Sequence, residues 1–484
     1  MRPVFFFILL SFFSAAPAQK APARLQTEID KLKNDPVLKH GNFGLCVMTA
    51  DSGKIIAAHN SELCLTPAST LKVLTAGAAL ALLGESYRYT TTLEYDGRID
   101  SASGTLFGNL YVRGSGDPTF GSQFFKIVSD TAAPFQMLWI NALREKGIKK
   151  IEGRVISDAT VFEDNPVPPG WVWSDMGNYY GAGAFGLNWI DNRYRIYFDS
   201  GAEGDAVKID RIEPAVPGLR LDNQVISGGR KDDAFIYGAP YTYWQNITGS
   251  IPPNRDDYDV DGALPDPPMY FAQYFTEELR RRNITVTKEA ETSRTLKIQN
   301  AWMPGKRTVI GVYQSPPLSD IIKHTLTKSD NMYTECLLKT LSLKAVKTGD
   351  DEEGISMVKN FWQSKGLNTE ALFMNDGSGL SRSNAVTTTQ LAKAMQIASR
   401  QTWFRSFVAG VNGSMVSLCK GTLAEKNLRA KTGYITRARG YTGYVKDKKG
   451  RLLVFAVLAN NYNCSPTEMK TRLERILIAM AELE

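Results

Sequence analysis

Three short polar motifs occur in order along the 484-residue chain: Ser69-Thr70-Leu71-Lys72, then Ser329-Asp330-Asn331, then Lys431-Thr432-Gly433. Together they offer a serine nucleophile, lysine bases and hydrogen-bond donors, the parts of an acyl-transfer site that works without histidine. Each motif alone turns up by chance in a chain this long; their order and surroundings make the set specific. A Ser-His-Asp triad has little support. His40 and His59 lie in polar, turn-like sequence and His324 falls in an expected surface helix, so all three read as solvated side chains.

Ser69 stands just before an apolar run, Leu71 to Leu83, that stops at Gly84, the pattern of a buried helix with a glycine terminator. At a helix N-terminus, free N–H groups and the dipole favour developing negative charge. Lys72 lies three residues on, hence on the same face as the hydroxyl. Burial among apolar neighbours lowers a lysine pKa, so Lys72 is a candidate base for Ser69; the alternative is a lysine snorkelling out of an ordinary core helix. Ser329 and Asn331 lie between two expected helices, Ser319 to Leu326 and Met332 to Leu341. Ser329 or Asp330 serves there either as a helix cap or, for the serine, as a proton shuttle, with Asn331 holding Lys72 and a substrate amide. Lys431-Thr432-Gly433 opens a strand-like run. On a sheet edge it would pair with an extended peptide, Lys431 and Thr432 meeting a terminal carboxylate and Gly433 allowing close approach; an ordinary strand end is the alternative.

The elements that must position these motifs come mainly from the chain ends. Phe43 to Met48 and Lys54 to Ala58 form one expected hairpin, Gly440 to Val445 and Leu452 to Ala459 a second, with Arg429 to Ile435 as a third strand beside it. Amphipathic patterns at Ala23 to Leu32 and Pro466 to Leu483 supply a first and a last helix. Residues 19–90 plus 294–484 are therefore expected to form one domain. Residues 91–293, rich in short strand-like pieces such as Gly104 to Val112, form a β-rich insertion in two nested units, about 91–170 plus 263–293 and about 171–262.

Composition narrows the class further. Apolar residues make up 43% and charged residues 22%, as in ordinary globular proteins, and a net charge of +7 without a long basic run gives nucleic-acid binding no support. Arg2, the apolar run Val4 to Phe13 and Ala16-Pro17-Ala18 read as a secretory signal peptide over residues 1–18. No cysteine follows that run to carry a lipid, and no later segment approaches membrane-spanning length. The five cysteines, Cys46, Cys64, Cys336, Cys419 and Cys464, allow a disulfide such as Cys419 with Cys464, but sequence does not settle connectivity; Cys336 reads as a buried small hydrophobe. Asp257 to Gly262 copies half of a calcium loop but has Pro268 where the bidentate Glu belongs, so it reads as a solvated acidic loop; no metal or other cofactor is expected.

In these motifs the chain resembles the penicillin-binding, active-site-serine peptidases. It is most similar to the class C low-molecular-mass penicillin-binding proteins, the D-alanyl-D-alanine carboxypeptidase/endopeptidase family. The resemblance spans nearly the whole mature chain and includes Gly108 to Pro118, Asp376-Gly377-Ser378-Gly379-Leu380-Ser381-Arg382, and the long insertion between the first two motifs. It implies an α/β (α+β) fold of the penicillin-binding/β-lactamase kind, an antiparallel five-stranded sheet flanked by helices. It implies an exported, periplasmic or cell-envelope enzyme whose Ser69 attacks the carbonyl between two D-alanines. Lys72 would be the base, Ser329, Asn331 and Lys431 would relay protons and orient substrate, and the backbone N–H groups of Ser69 and Tyr434 would form the oxyanion hole. Peptidoglycan peptides would be its partners and penicillins covalent inhibitors. By the same analogy Asp158 would meet the ammonium group, and Arg382 and Thr436 the carboxylate, of the stem-peptide side chain; as alternatives, Asp158 is a turn residue and Arg382 a surface charge. Tyr434 replaces the small hydroxyl residue that relatives commonly carry after the glycine. Two rivals share the motifs: a β-lactamase, against which the large insertion and the lack of a second-base glutamate argue, and a non-catalytic wall-binding or β-lactam-sensing module, against which the intact motifs and the missing membrane anchor argue.

Overall fold

The strand Leu452–Asn460 shows how the larger domain is assembled. Its side chains alternate between two hydrophobic cores: Val454, Ala456 and Leu458 pack with the helices Lys72–Leu83, Asn331–Ser342 and Thr388–Ala398, whereas Leu453, Phe455, Val457 and Ala459 pack with Ala23–Lys33 and Pro466–Ala481. A two-residue period with both faces apolar is what a central strand between two helical layers requires. The sheet has five antiparallel strands in the order Leu428–Ile435, Ala438–Lys446, Leu452–Asn460, Asn42–Thr49, Ile55–His59. Strands from both chain ends therefore share one sheet, and Leu428–Ile435 is an open edge. A computed structural model describes residues 22–125, 135–411 and 417–484, so the signal-peptide segment lies outside the described residues.

The last helix starts where its sequence dictates: Ser465 and Glu468 cap each other's backbone N–H groups and Pro466 occupies the first turn. The helix Lys72–Leu83 is buried on nearly every face and stops at Gly84, whose φ of 90° only glycine adopts without strain.

Among the described residues the insertion carries four sheets. A five-stranded sheet runs Glu291–Thr292, Val155–Asp158, Leu110–Arg113, Thr90–Tyr95, Thr308–Gln314, and a four-stranded sheet lies beside it. Their shared core is aromatic, with Phe120 against Phe135, Trp139, Trp189, Phe271 and Tyr313. Two three-stranded sheets between Arg193 and Ala263 close over a separate apolar core.

Several sequence expectations change here. Thr308–Gln314, beyond the expected border at 293, pairs antiparallel with Thr90–Tyr95. Gly104 to Val112 is two strands in two sheets rather than one. Asp257 to Gly262 lies within the strand Arg255–Ala263, its acidic side chains facing Arg195 and Arg211, and is not a loop. All five cysteines are free thiols, so Cys419 and Cys464 are not joined; Cys336 is fully buried. His324 is not a surface residue: its ring packs among Phe124, Phe125 and Tyr333 with 9% of the side chain exposed. Phe124 and Phe125 of the insertion cover the flank of the His324 helix that the sequence leaves open.

Because Leu458 is fully buried where the sheet meets its helices, Leu458→Ala should cost about 2–5 kcal/mol of stability. Urea-induced unfolding followed by circular dichroism checks this.

Candidate active site

Ser69 sits in the tight turn Ala68–Leu71 that feeds the helix beginning at Lys72. Ala68 is left-handed, with φ of 48°, a conformation that costs a non-glycine residue about 1–2 kcal/mol and persists where surrounding structure enforces it. The enforcing neighbours are visible. A Cβ on Gly379 would collide with the Ala68 carbonyl, and a Cβ on Gly433 would come within 2.6 Å of the Pro67 carbonyl and 3.0 Å of the Thr70 nitrogen. Glycines at these two points let a turn and the edge strand press on the serine from both sides.

Lys72 has no exposed surface, so it does not snorkel. Its Nζ lies 3.0 Å from Ser69 Oγ, 2.5 Å from Asn331 Oδ1 and 2.8 Å from the Ser378 carbonyl. Burial is the largest influence on it and lowers its pKa to about 8, against the opposing pull of Asp376, Glu335 and Asp330. A neutral amine has two hydrogens and one lone pair. The Asn331 and Ser378 oxygens are acceptors only, so they take the two hydrogens and leave the lone pair to receive the Ser69 proton.

The second motif divides its labour. Asp330 is the helix cap, accepting from the Tyr333 N–H, while Ser329 ends the preceding helix at φ of 60°. That leaves the Ser329 hydroxyl and the Asn331 amide for the site. Lys431 Nζ lies 2.9 Å from Ser329 Oγ and 2.8 Å from the Thr432 carbonyl, and burial together with the charge of Lys72 holds its pKa well below the usual lysine range. Gly433 faces the Ser69 turn, and Tyr434, next along the strand, is exposed with the Arg439 guanidinium over its ring.

The structure thus brings the five residues together as two hydrogen-bonded groups, Lys72 with Ser69 and Asn331 and Lys431 with Ser329, near enough for the Lys72 charge to lower the Lys431 pKa. Gly433 and the Thr432 carbonyl adjoin them, whereas Arg382, Thr436 and Asp158 are not part of these hydrogen-bonded groups. Arg382 is exposed just beyond the Asp376–Ser381 turn, close enough to Asp175 to oppose the upward shift that burial gives that carboxyl. Thr436 is exposed in the turn between two strands. Asp158 is buried, and its carboxylate already pairs with Arg307 at 2.7 Å and accepts from Thr160. An ammonium group would meet Asp158 only by competing with Arg307.

Other residues at the site were not read from sequence. Glu335 and Asp376 are fully buried carboxylates beside Lys72. Glu335 is four residues after Asn331 in an apolar helix, a spacing that points a lone acid to the same side. The insertion supplies three more contacts: the Tyr180 carbonyl accepts from Asn331 Nδ2 at 2.7 Å, Trp171 Nε1 donates to Asp376 at 2.9 Å, and Arg193 meets Asp330 at 2.6 Å. No local signal marks these three, because each depends on how the insertion docks.

The fold and this site define an active-site-serine peptidase of the penicillin-binding class. Residues 25–483 match the D-Ala-D-Ala carboxypeptidase 3 (S13) family. The chain is 25% identical over 446 residues to the D-alanyl-D-alanine carboxypeptidase DacB of Haemophilus influenzae, covering 89% of this chain and 88% of that one. It is 27% identical over 495 residues to a D-alanyl-D-alanine carboxypeptidase of Actinomadura sp. strain R39, covering 97% and 87%. Among solved structures, penicillin binding protein 4 of H. influenzae superposes with a TM-score of 0.78 at 23% identity, over 94% of this chain and 99% of that one. The chain belongs to the D-Ala-D-Ala carboxypeptidase 3 (S13) family and is a serine-type D-Ala-D-Ala carboxypeptidase.

Burial would raise the Asp330 pKa, but His324, Arg193 and the Tyr333 N–H together hold it below 3.8, so its ion pair stabilises the fold above that pH and is lost on further acidification. Arg193→Ala leaves a buried carboxylate uncompensated and should cost about 3–5 kcal/mol at pH 7. The deficit should shrink in denaturant melts as the pH falls through the lowered Asp330 pKa, where the carboxyl protonates in the wild type as well.

Proposed function

We propose that this carboxypeptidase is exported and acts on peptidoglycan stem peptides through an acyl-enzyme on Ser69. The observation that carries the reading is the Lys72 amine, buried, shifted toward its neutral form and 3.0 Å from Ser69 Oγ. Lys72 takes the Ser69 proton as the oxygen attacks the carbonyl of the penultimate D-alanine. The backbone N–H groups of Ser69 and Tyr434 hold the oxyanion, the arrangement that lowers such barriers most. The leaving amine takes its proton from the Ser329 hydroxyl, which Lys431 polarises across 2.9 Å, and Ser329 regains one from the protonated Lys72, which restores the neutral amine. Water then hydrolyses the ester, the amine again acting as base.

The extended substrate adds to the open edge strand Leu428–Ile435, with Lys431 and Thr432 toward its terminal carboxylate. Where the leaving group is a cross-linked peptide instead of free D-alanine, the same steps make the enzyme an endopeptidase. Arg382 and Thr436 are proposed to meet the stem-peptide side-chain carboxylate, and Asp158 its ammonium group in exchange for Arg307. Penicillins acylate Ser69 as mimics of the D-alanyl dipeptide; a second structure of the H. influenzae protein, TM-score 0.68 at 22% identity, is of its complex with a β-lactam.

Brief incubation with benzylpenicillin should leave one covalent adduct on the wild type and none on Ser69→Ala, read by intact mass spectrometry. Turnover of the drug with no adduct would indicate a β-lactamase, and neither outcome a binding module. With Lys72 at about 8, the acylation rate should rise roughly tenfold per pH unit below 8 and level off above it, because only the unprotonated amine accepts the proton.

A further inference from the structure

Glu335 has a use that the steps above do not include. It is fully buried, and among the described residues it forms no ion pair. Instead each carboxylate oxygen accepts one backbone N–H of the same turn: Oε2 from Gly377 and Oε1 from Ser378, both at 2.9 Å. The carbonyls of those two residues point the other way, into the helix that carries the base. Ser378 O accepts from Lys72 Nζ at 2.8 Å and Gly377 O from Thr75 Oγ1 at 2.8 Å. The clearance is small, since a Cβ on Gly377 would lie 3.2 Å from Leu338 and 3.3 Å from both Glu335 Oε2 and Thr75 Oγ1. On the far side Asp376 ties the turn down through the N–H groups of Gly379 and Ser381 and the Asn384 amide.

We propose that Glu335 is a positioning residue for Lys72: by clamping the Gly377 and Ser378 amides it aims the Ser378 carbonyl at the lysine, which turns the lone pair of the amine toward Ser69. The proposal rests on the reading of Lys72 as base. If the Ser378 carbonyl drifts, one amine hydrogen loses its acceptor, and the amine rotates that hydrogen toward the Ser69 oxygen. A carboxylate suits the task because it accepts two parallel N–H groups and has no hydrogen to oppose either one. Burial, with Asp376 and Asp351 nearby, pushes the Glu335 pKa up to about 8 against the pull of the two amides, and where it is ionised its negative charge favours the protonated lysine.

Two variants separate geometry from charge. Glu335→Gln keeps the size, loses one acceptor and removes the charge; Glu335→Asp keeps the charge but is one methylene too short to reach both amides. Benzylpenicillin acylation is followed by stopped flow and normalised to the fraction that acylates at saturation. Both variants should acylate about 10–100-fold more slowly, the scale seen when the group that orients a functional side chain is lost. The loss should fall in the first-order acylation step, with the dissociation constant of the non-covalent complex unchanged. Only Glu335→Gln should let the rise of the pH profile finish at lower pH, because it alone removes the negative charge that Glu335, with its pKa of about 8, carries beside Lys72 in that upper range. A wild-type rate and profile per active molecule in either variant overturns the proposal. So does loss of a cooperative unfolding transition in both, which makes Glu335 a residue of the fold. A wild type that is not acylated, or is acylated away from Ser69, overturns instead the reading on which the proposal rests.

Discussion

The site depends on keeping one amine out of water. Removing an ammonium group from water is expensive, and the protein meets that cost at Lys72 by shifting the equilibrium toward the neutral form and by giving every polar valence of the amine a partner. Those partners come from parts of the chain far apart in sequence. Ser69 is supplied by the turn before the helix, Asn331 by the start of a second helix and Ser378 by a turn held between the two. A base made this way needs no histidine, but it works only if all three pieces are held to within a few tenths of an ångström.

The insertion accounts for part of that precision. Its segment 171–193 lies over the peptidase domain and touches the polar elements of the site one by one: Trp171 on Asp376, Tyr180 on Asn331, Arg193 on Asp330. The Arg193 pair is nearly dry, with 15% of the arginine side chain and 3% of the aspartate exposed. A buried pair is a poor source of net stability but a strict determinant of geometry, since neither charge is tolerable without the other. The β-rich unit therefore orients the SxN motif from outside the domain that contains it.

The open edge of the central sheet is the other recurring constraint. An exposed strand edge invites aggregation, and here the edge strand carries Arg429 near its start and is followed at once by Arg437 in the turn. It is also pressed against the Ser69 turn by a glycine that leaves no room for a side chain, so a peptide pairing with this edge is delivered to the hydroxyl.

Sequence by itself determined the local parts. The apolar helix behind Ser69, the glycine that stops it, the two hairpins, the first and last helices and the three motifs each follow from spacing and residue type, because periodicity and capping act within a few residues. Tertiary structure decided what depends on contacts between distant segments. It paired Thr308–Gln314 with Thr90–Tyr95, buried His324 under the insertion, gave Asp158 the Arg307 guanidinium as its partner and turned Glu335 from an acid in an apolar helix into a clamp on the Gly377 and Ser378 amides. Strand pairing between remote segments, and the neighbours of a buried charge, are set by the packing of whole layers, and local pattern carries no record of which layer will arrive.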